Sequence, residues 1–328
     1  VLSEFVKEFN AQNEGRIVIE ETILNWDTLY TKLMVDFRTG NAPDILTFHQ
    51  PALAQYTSLG VLQEIDDYVD AVGIVGTDFV ETAWNGGVID GKRYAIAIDM
   101  HPWALYYNRE LFRQAGLPDR APQNMEEFIE FAQKLTYVTE DGVQQYGFGM
   151  GYAGADPHRL LISLLAQKGK SILTPDFKQA QLNNDDTKEV LQFMYDLIYK
   201  YKVVPERESD VLGDFLRGSV AMIIDGPWNL PSFIADEDLD FGTAPIPRFY
   251  DQDAVWGSSH VLVFPRNNNE DKLKAAMEFA AFVTTKGFEW TVQAGHMPIR
   301  KDILESEEFK KLEEWQAFAK SLPNMVYY

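Results

Sequence analysis

The feature that most constrains the fold of this sequence is an alternation of short apolar strand patterns with longer amphipathic helix patterns. A helix pattern is already present at residue 1, and the run Ile17–Thr22 is typical of a strand. A helix capped by Asp27 and ending at Gly40 follows, and then a buried strand over Ile45–Phe48. This order predicts an α/β protein with mostly parallel sheets whose strands are joined by helices.

A second series of the same kind occupies the middle of the chain. The glycine-rich strand end Gly147–Gly151 leads into a helix that Asp156 begins. A long helix over Asp185–Lys202 comes next, with Leu191 among the residues expected to face inward, and another is expected over Ser306–Ser321. At 328 residues the chain exceeds the size at which single cores stop growing, about 250–300 residues. We therefore expect two lobes joined by short extended segments.

The composition excludes several classes of function. Fifty acidic against 29 basic residues give a net charge of −21, which argues against nucleic-acid or anionic-membrane partners. The absence of cysteine excludes a thiol nucleophile, a disulfide framework and a cysteine metal site. The five histidines show no ligand spacing, and the phosphate-loop, nucleophile-elbow and zinc-helix motifs are missing. The sequence therefore predicts no cofactor and no metal.

One junction between a strand and a helix points to a binding site. The apolar run Val220–Ile224 leads directly into Gly226, which lets the chain bend, and Pro227, which is favoured at a first helical position. Trp228 follows in the first turn, at the strand end where α/β sheets usually bind ligands. For a lone tryptophan, packing in the core is the commoner role.

Further aromatic and polar residues stand at the other expected strand ends. Aromatic rings cover the C–H faces of a sugar, while short polar side chains satisfy its hydroxyls. We leave Trp26, Trp84, Trp290 and Trp315, which lie in helical or turn contexts, as structural residues. The candidate ligand-binding residues are His49, Gln50, Asp99, His101, Trp103, Tyr152, Trp228, Asn229, Trp256, Ser258 and His260. No arginine or lysine belongs to this set, so a neutral sugar is preferred over a phosphorylated one.

Taken in order, several segments resemble one known family along nearly the whole chain. The chain resembles the extracellular solute-binding proteins of carbohydrate ABC transporters, the family that includes maltose-binding protein. The resemblance rests on Phe5–Asn13, Gly40–Asp44, Gly91–Tyr94, Trp103–Asn108, Phe215–Gly218, Asp225–Trp228, Trp256–His260 and Ala294–Pro298.

The resemblance implies a type II periplasmic-binding-protein fold, in which two α/β lobes joined by a multi-strand hinge close on a sugar. It places residues 1–106 and 260–300 in the N-terminal lobe and residues 107–259 and 301–328 in the C-terminal lobe. Trp228 falls on the position at which such proteins stack a tryptophan on the sugar ring. The family's first strand is expected before Val1 and a further helix after Tyr328.

The function implied is that of a non-enzymatic, monomeric receptor that delivers its sugar to the permease subunits of an importer. Its location is extracytoplasmic, either periplasmic or lipid-anchored on the outer face of the cytoplasmic membrane. Two alternatives stay open from the residues. A carboxylate dyad in the same cleft would make the chain a carbohydrate-active enzyme. The same scaffold could also bind a phosphorylated or other non-sugar solute.

Overall fold

The computed structural model describes residues 1–174, 178–207, 209–267 and 269–327. The chain divides into two compact units. Unit 1 contains residues 1–100 and 258–311, and unit 2 contains residues 101–257 and 312–327. The three lobe boundaries expected from the sequence lie after residues 106, 259 and 300. Residue 328, the last of its second lobe, lies outside the described residues.

The helices and strands follow one another along both units. The α-helices are α1 Leu2–Gln12, α2 Trp26–Thr39, α3 Leu53–Ser58, α4 Asp66–Val69, α5 Glu81–Asn85, α6 Arg109–Gln114, α7 Met125–Lys134, α8 Ala155–Gln167, α9 Asp185–Tyr199, α10 Val211–Leu216, α11 Leu230–Ala235, α12 Glu270–Thr284, α13 Gly287–Ala294, α14 Lys301–Leu304, α15 Glu307–Lys310 and α16 Gln316–Ser321. The strands are β1 Leu46–His49, β2 Val88–Ile89, β3 Lys92–Arg93, β4 Ala95–Ala97, β5 His101–Pro102, β6 Ala104–Asn108, β7 Tyr137–Val138, β8 Gln144–Gln145, β9 Met222–Asp225, β10 Phe241–Ala244, β11 Val255–Ser258, β12 His260–Val263 and β13 Met325–Val326.

The main sheet of unit 1 has the strand order β1-β12-β4, and both of its ladders are antiparallel. This corrects the expectation of mostly parallel sheets. A crossover helix makes two strands parallel when they follow one another in the chain. Here the central strand β12 comes more than 150 residues after β4, so no short crossover governs its direction.

The expected strand over Ile17–Thr22 does not form in unit 1. Its backbone is held instead by the side chain of Asn10, which donates to the carbonyl oxygen of Ile19 and accepts from the amide of Ile19. A cavity of about 550 Å³ lies between this segment and β1, so the segment has no ladder partner there. A strand pattern without a neighbouring strand is not enough to make a sheet.

Unit 2 contains a sheet of order β10-β6-β9, whose ladders are also antiparallel. Beneath it, the buried ring of Tyr106 packs within 5.3–6.5 Å of four phenylalanine rings, which are Phe215, Phe233, Phe241 and Phe318. A second sheet pairs β11 with β13 in parallel and also contains β5. These two sheets carry most of the candidate residues of unit 2 at or next to their strand ends.

Local sequence patterns predicted some helix boundaries and helix faces correctly and others wrongly. Helix α7 begins with the side chain of Asn124 accepting from the amide of Glu127, which is a local capping signal. The cap of α2 is Asn25 rather than Asp27, although Gly40 ends the helix in the left-handed conformation as expected. Leu191 on α9 is 48% exposed, which makes its inward assignment wrong. The expected helix over Ser306–Ser321 is broken into α15, a short 3-10 turn and α16.

Among the described residues, no helix combines the length and apolarity needed to span a bilayer.

Candidate functional site

Trp228 lies in a 3-10 turn, Pro227–Asn229, directly after β9. The reason for glycine at position 226 is space for this ring. Gly226 has extended backbone angles that any residue can adopt, but a β-carbon there would lie 2.1 Å from a ring carbon of Trp228. The hydroxyl of Tyr106 donates to the carbonyl oxygen of Gly226 at 2.6 Å and fixes the turn from below. The indole is therefore held by the turn itself and stays partly exposed.

The carboxylate of Asp225 is anchored beside this turn. One of its oxygens accepts from the amide of Gly226 at 2.7 Å, and the other accepts from the side-chain amide of Asn229 at 2.9 Å. The pKa of Asp225 is raised to about 6, chiefly by burial and also by the charge of Asp156, although both hydrogen bonds lower it. Asn229 is itself buried, so its observed role is to hold Asp225.

Four aromatic residues of unit 2 lie in one cluster. The ring centroid of His101 is 5.7 Å from that of Trp228 and 6.2 Å from that of Trp256. Trp103 meets Trp256 edge to face at 5.6 Å. Trp103 and Trp256 are buried, whereas Trp228 is partly exposed. The structure thus brings together four of the residues that the sequence singles out, and Trp228 is the one that is not buried.

Arg159, on the first turns of α8, lies against this cluster and is absent from the sequence-based set. Its guanidinium carbon is 4.4 Å from the ring centre of Trp256, 5.7 Å from that of Trp103 and 5.8 Å from that of Trp228. Burial lowers the pKa of Arg159, while the charge of Asp156 opposes the shift. A cation over the face of Trp256 is a favourable cation–π contact. Arg159 therefore contacts the ring of one of the candidate ligand-binding residues.

Tyr152 lines a separate cavity of unit 2. The cavity measures about 490 Å³ and is also lined by Trp103, Asp156 and Asp225. Its volume falls within the range of small-molecule sites. Tyr152 is 59% exposed, so its phenol ring is accessible beside the two carboxylates.

In unit 1 the buried carboxylate of Asp99 organises the neighbouring side chains. Its Oδ1 accepts from the amide of His260 at 2.8 Å, and its Oδ2 accepts from His260 Nδ1 at 2.7 Å and from Trp290 Nε1 at 3.0 Å. Burial alone would lower the pKa of His260, but the charge of Asp99 and its hydrogen bond raise it above the ordinary value. Trp290, which we expected to be structural, thus supports a candidate residue.

Trp26, which we expected to be structural, lies beside two of the candidate residues of unit 1. Its indole lies parallel to the ring of His260 at 5.4 Å and only 3.9 Å from the ring of His49. It is 38% exposed and stands at the first position of α2, directly after the cap residue Asn25. The hydroxyl of Tyr30 contacts His49 Nδ1 at 2.9 Å and fixes that ring. The sequence signal that could have marked Trp26 as a candidate was its place at the start of a helix, where a side chain can extend beyond the first turn.

The remaining candidates of unit 1 are Gln50 and Ser258. The amide of Gln50 donates to the carbonyl oxygen of Ser259, and its side-chain nitrogen donates to that of Gly86 at 3.3 Å. Gln50 Oε1 and Ser258 Oγ are buried without a hydrogen-bond partner among the described residues, and so is Trp103 Nε1 of unit 2. Buried polar atoms of this kind usually have a partner, which can be a water or a ligand.

Comparison with known proteins gives a consistent result. A family model described as bacterial extracellular solute-binding protein matches residues 4–317. A binding protein of Brucella abortus is 26% identical over 98% of this chain and 78% of its own length. Two solved structures share the fold at 22% identity and cover 99% of this chain. One is UgpB from Mycobacterium tuberculosis in complex with glycerophosphocholine, with a TM-score of 0.87 and 83% of that chain covered. The other is an ABC substrate-binding protein from Listeria monocytogenes in complex with cycloalternan, with a TM-score of 0.83 and 84% covered.

Proposed function

Because the chain belongs to the bacterial extracellular solute-binding proteins, we propose that it is the receptor of an ABC importer and that its solute is a neutral sugar or oligosaccharide. The observation that carries the proposal is the aromatic cluster of unit 2. There the partly exposed ring of Trp228 stands beside His101 and the anchored carboxylate of Asp225. An aromatic face next to fixed hydrogen-bonding groups is the arrangement that a pyranose requires.

Unit 1 offers a second aromatic surface of the same chemistry. The exposed indole of Trp26 stands beside the rings of His49 and His260, and the ring of His260 is oriented by Asp99. Imidazole nitrogens can donate to or accept from sugar hydroxyls, depending on their tautomer. We propose that this surface also binds a sugar.

The positive charge of Arg159 at the cluster raises the alternative of a solute with an anionic phosphate group, such as the glycerophosphocholine bound by the protein from Mycobacterium tuberculosis. Arg159 could pair with such a group. However, its guanidinium lies 3.5 Å from the carboxylate of Asp156, and the charge of Asp225 also acts on it. These two carboxylates offset the positive charge and would repel an anion, which favours a neutral polyol.

The pair of carboxylates on the Tyr152 cavity is the observation that favours an enzyme. Asp156 and Asp225 line one cavity, and the pKa of Asp225 is raised to about 6, as for a general acid. However, both oxygens of Asp225 already accept hydrogen bonds, from the amide of Gly226 and the side chain of Asn229. A carboxyl group held in this way is poorly placed to donate a proton to a glycosidic oxygen, so binding without turnover is preferred.

A ligand screen tests the proposal directly. The melting temperature of the protein is measured against a panel of neutral mono- and oligosaccharides, with glycerophosphocholine and glycerol 3-phosphate as phosphate-containing members. A ligand that binds only the native state raises the melting temperature with its concentration. We expect a concentration-dependent rise with at least one neutral sugar. A rise with the phosphate compounds alone would overturn the neutral-sugar assignment.

The partners and setting follow from the same proposal. A receptor of this family delivers its solute to permease subunits and acts as a monomer, and we propose both for this chain. Attachment by a lipid anchor and closure of the lobes on the solute remain predictions from the family resemblance. Sedimentation of the protein with and without its sugar tests the monomer, because a dimer would double the mass.

A further inference from the structure

Unit 1 gathers three of the five histidines of the chain into one group. The ring centroid of His260 lies 5.2 Å from that of His49 and 4.9 Å from that of His296. In the sequence these residues show no ligand spacing, since more than 200 positions separate the first from the other two. Tertiary structure alone therefore brings them together.

We propose that Asp99, His260 and His296 form a binding site for a divalent transition-metal ion of the zinc type. Each residue supplies one donor atom, and these atoms lie within 4.8 Å of one another. A carboxylate oxygen and two imidazole nitrogens are a donor set that binds zinc with one further position open to water or another ligand. The inference goes beyond the proposed sugar receptor and does not depend on it.

The chemistry of the donors selects the ion. Imidazole suits zinc, copper, nickel and iron, whereas calcium and magnesium prefer a full set of oxygen ligands. Two of the three donors here are imidazoles, so we expect Zn²⁺ to bind and Ca²⁺ not to compete. The surface carboxylates of this acidic chain offer oxygen alone, so competition with Ca²⁺ separates the two kinds of site.

The surrounding contacts hold the donors before any ion arrives. Asp99 is fully buried and is held by three donors, which come from His260 and Trp290. The ring of His260 lies parallel to that of Trp26, and the ring of His296 lies 6.1 Å from that of Trp290. Hydrogen bonds and packing that fix the orientation of ligand side chains raise metal affinity. Binding requires the two imidazoles to be neutral and the donors to move closer together.

The negative charge of the protein favours the ion as well. A net charge of −21 raises the local concentration of cations, and the buried carboxylate of Asp99 supplies a compensating charge at the site. A zinc ion bound here would lie beside His260, one ring of the proposed unit 1 sugar surface. An open coordination position at that point could accept a hydroxyl of the solute.

Zinc titration of the metal-free protein in the absence of any sugar tests the proposal. The complete chain is treated with a chelator, exchanged into metal-free buffer and titrated with ZnCl₂ by calorimetry, with excess CaCl₂ present throughout. We expect one strong site per chain. Titration with CoCl₂ should give the intense visible absorption of a low-coordinate cobalt site with nitrogen ligands. The absence of a strong zinc site under these conditions would overturn the proposal.

Matched histidine variants locate the site. His260→Gln and His296→Gln should each weaken zinc binding at least tenfold, whereas His158→Ala, which removes an exposed histidine of unit 2, should leave it unchanged. Melting temperatures without metal check that each variant is folded. Because Asp99 also holds the fold, Asp99→Asn is interpreted only if it melts cooperatively, and the two histidine variants decide the case. Zinc binding that survives both of them, or that is lost in His158→Ala, would contradict the assignment.

Discussion

At the scale of single residues, Trp228 is the side chain on which the sugar proposal depends most. It is the one residue of the unit 2 cluster that is partly exposed, and the turn that presents it is fixed by Tyr106. We expect Trp228→Ala to weaken sugar binding by about 2–4 kcal/mol, as for a central hot-spot residue. Calorimetric titration with the sugar found in the ligand screen measures the change.

The matched control is Tyr195→Ala in the same unit. Tyr195 lies on α9, is 54% exposed and stacks only on Tyr199 among the described aromatic contacts. Its removal deletes an exposed aromatic ring without touching the cluster, so the affinity should not change. Equal losses in the two variants would mean that Trp228 has no special role.

Trp26 leads to a prediction for unit 1. Its exposed indole lies parallel to the ring of His260, so a sugar bound there would contact both. We expect Trp26→Ala to lower sugar affinity about tenfold, or about 1.4 kcal/mol. The same titration checks it, with the melting temperature of the free variant as the folding control. An unchanged affinity would remove this surface from the proposed site.

Asp225 predicts a pH dependence of stability. Its folded-state pKa is raised to about 6 by burial, above its ordinary value of 3.8. The folded state therefore retains a proton that the unfolded state has lost between these values, and the stability this provides is lost as pH rises through about 6. The free energy of unfolding changes by at most about 3 kcal/mol, since one pKa unit corresponds to about 1.4 kcal/mol and the side chain is partly exposed.

Asp225→Asn removes this titration. The free energy of unfolding, measured by urea denaturation between pH 4 and 7, should fall less steeply with rising pH in the variant than in the wild type. Asp238→Asn, in the same unit, is the comparison, because that side chain is exposed and its charge is not among those that shift the pKa of Asp225. If the free energies of unfolding of the wild type and Asp225→Asn changed in parallel with pH, ionisation of Asp225 would not destabilise the folded state, and the prediction would be wrong.

One residue, Arg159, shows why a candidate site predicted from sequence is incomplete. The search for aromatic and polar residues at expected strand ends selected His101, Trp103, Trp228 and Trp256, because the end of a strand is a local feature of the sequence. The structure places these four residues together. Arg159 lies on a helix that approaches the cluster only through tertiary packing, so no local pattern marks it.

At the scale of elements, the turn after β9 is specified by one glycine. A β-carbon at position 226 would lie 2.1 Å from the Trp228 ring, closer than real contacts allow. Gly226→Ala should therefore displace the indole, destabilise the fold by about 1–3 kcal/mol and weaken sugar binding. Urea denaturation and calorimetry measure the two effects. Gly151→Ala, where the nearest atom would be 3.5 Å away, should cost little stability.

The elements also show the limit of local patterns. Helices α1, α7 and α12 were predictable because apolar periodicity and caps are local signals. The direction of the strands was not, because the neighbour of β1 and β4 is a strand from a distant part of the chain. For the same reason the segment Ile17–Thr22, which has strand composition, remained outside any sheet.

At the scale of the whole molecule, the receptor and enzyme readings predict different fates for the bound sugar. The carboxylates of Asp156 and Asp225 share a cavity, but Asp225 is engaged by Gly226 and Asn229. We expect the oligosaccharide that raises the melting temperature to be recovered intact after prolonged incubation with stoichiometric protein, as judged by chromatography. Asp156→Asn serves as the control for any slow hydrolysis. Products that form with the wild type and vanish in this variant would establish a carboxylate-dependent enzyme, because a receptor has no step in which a glycosidic bond breaks.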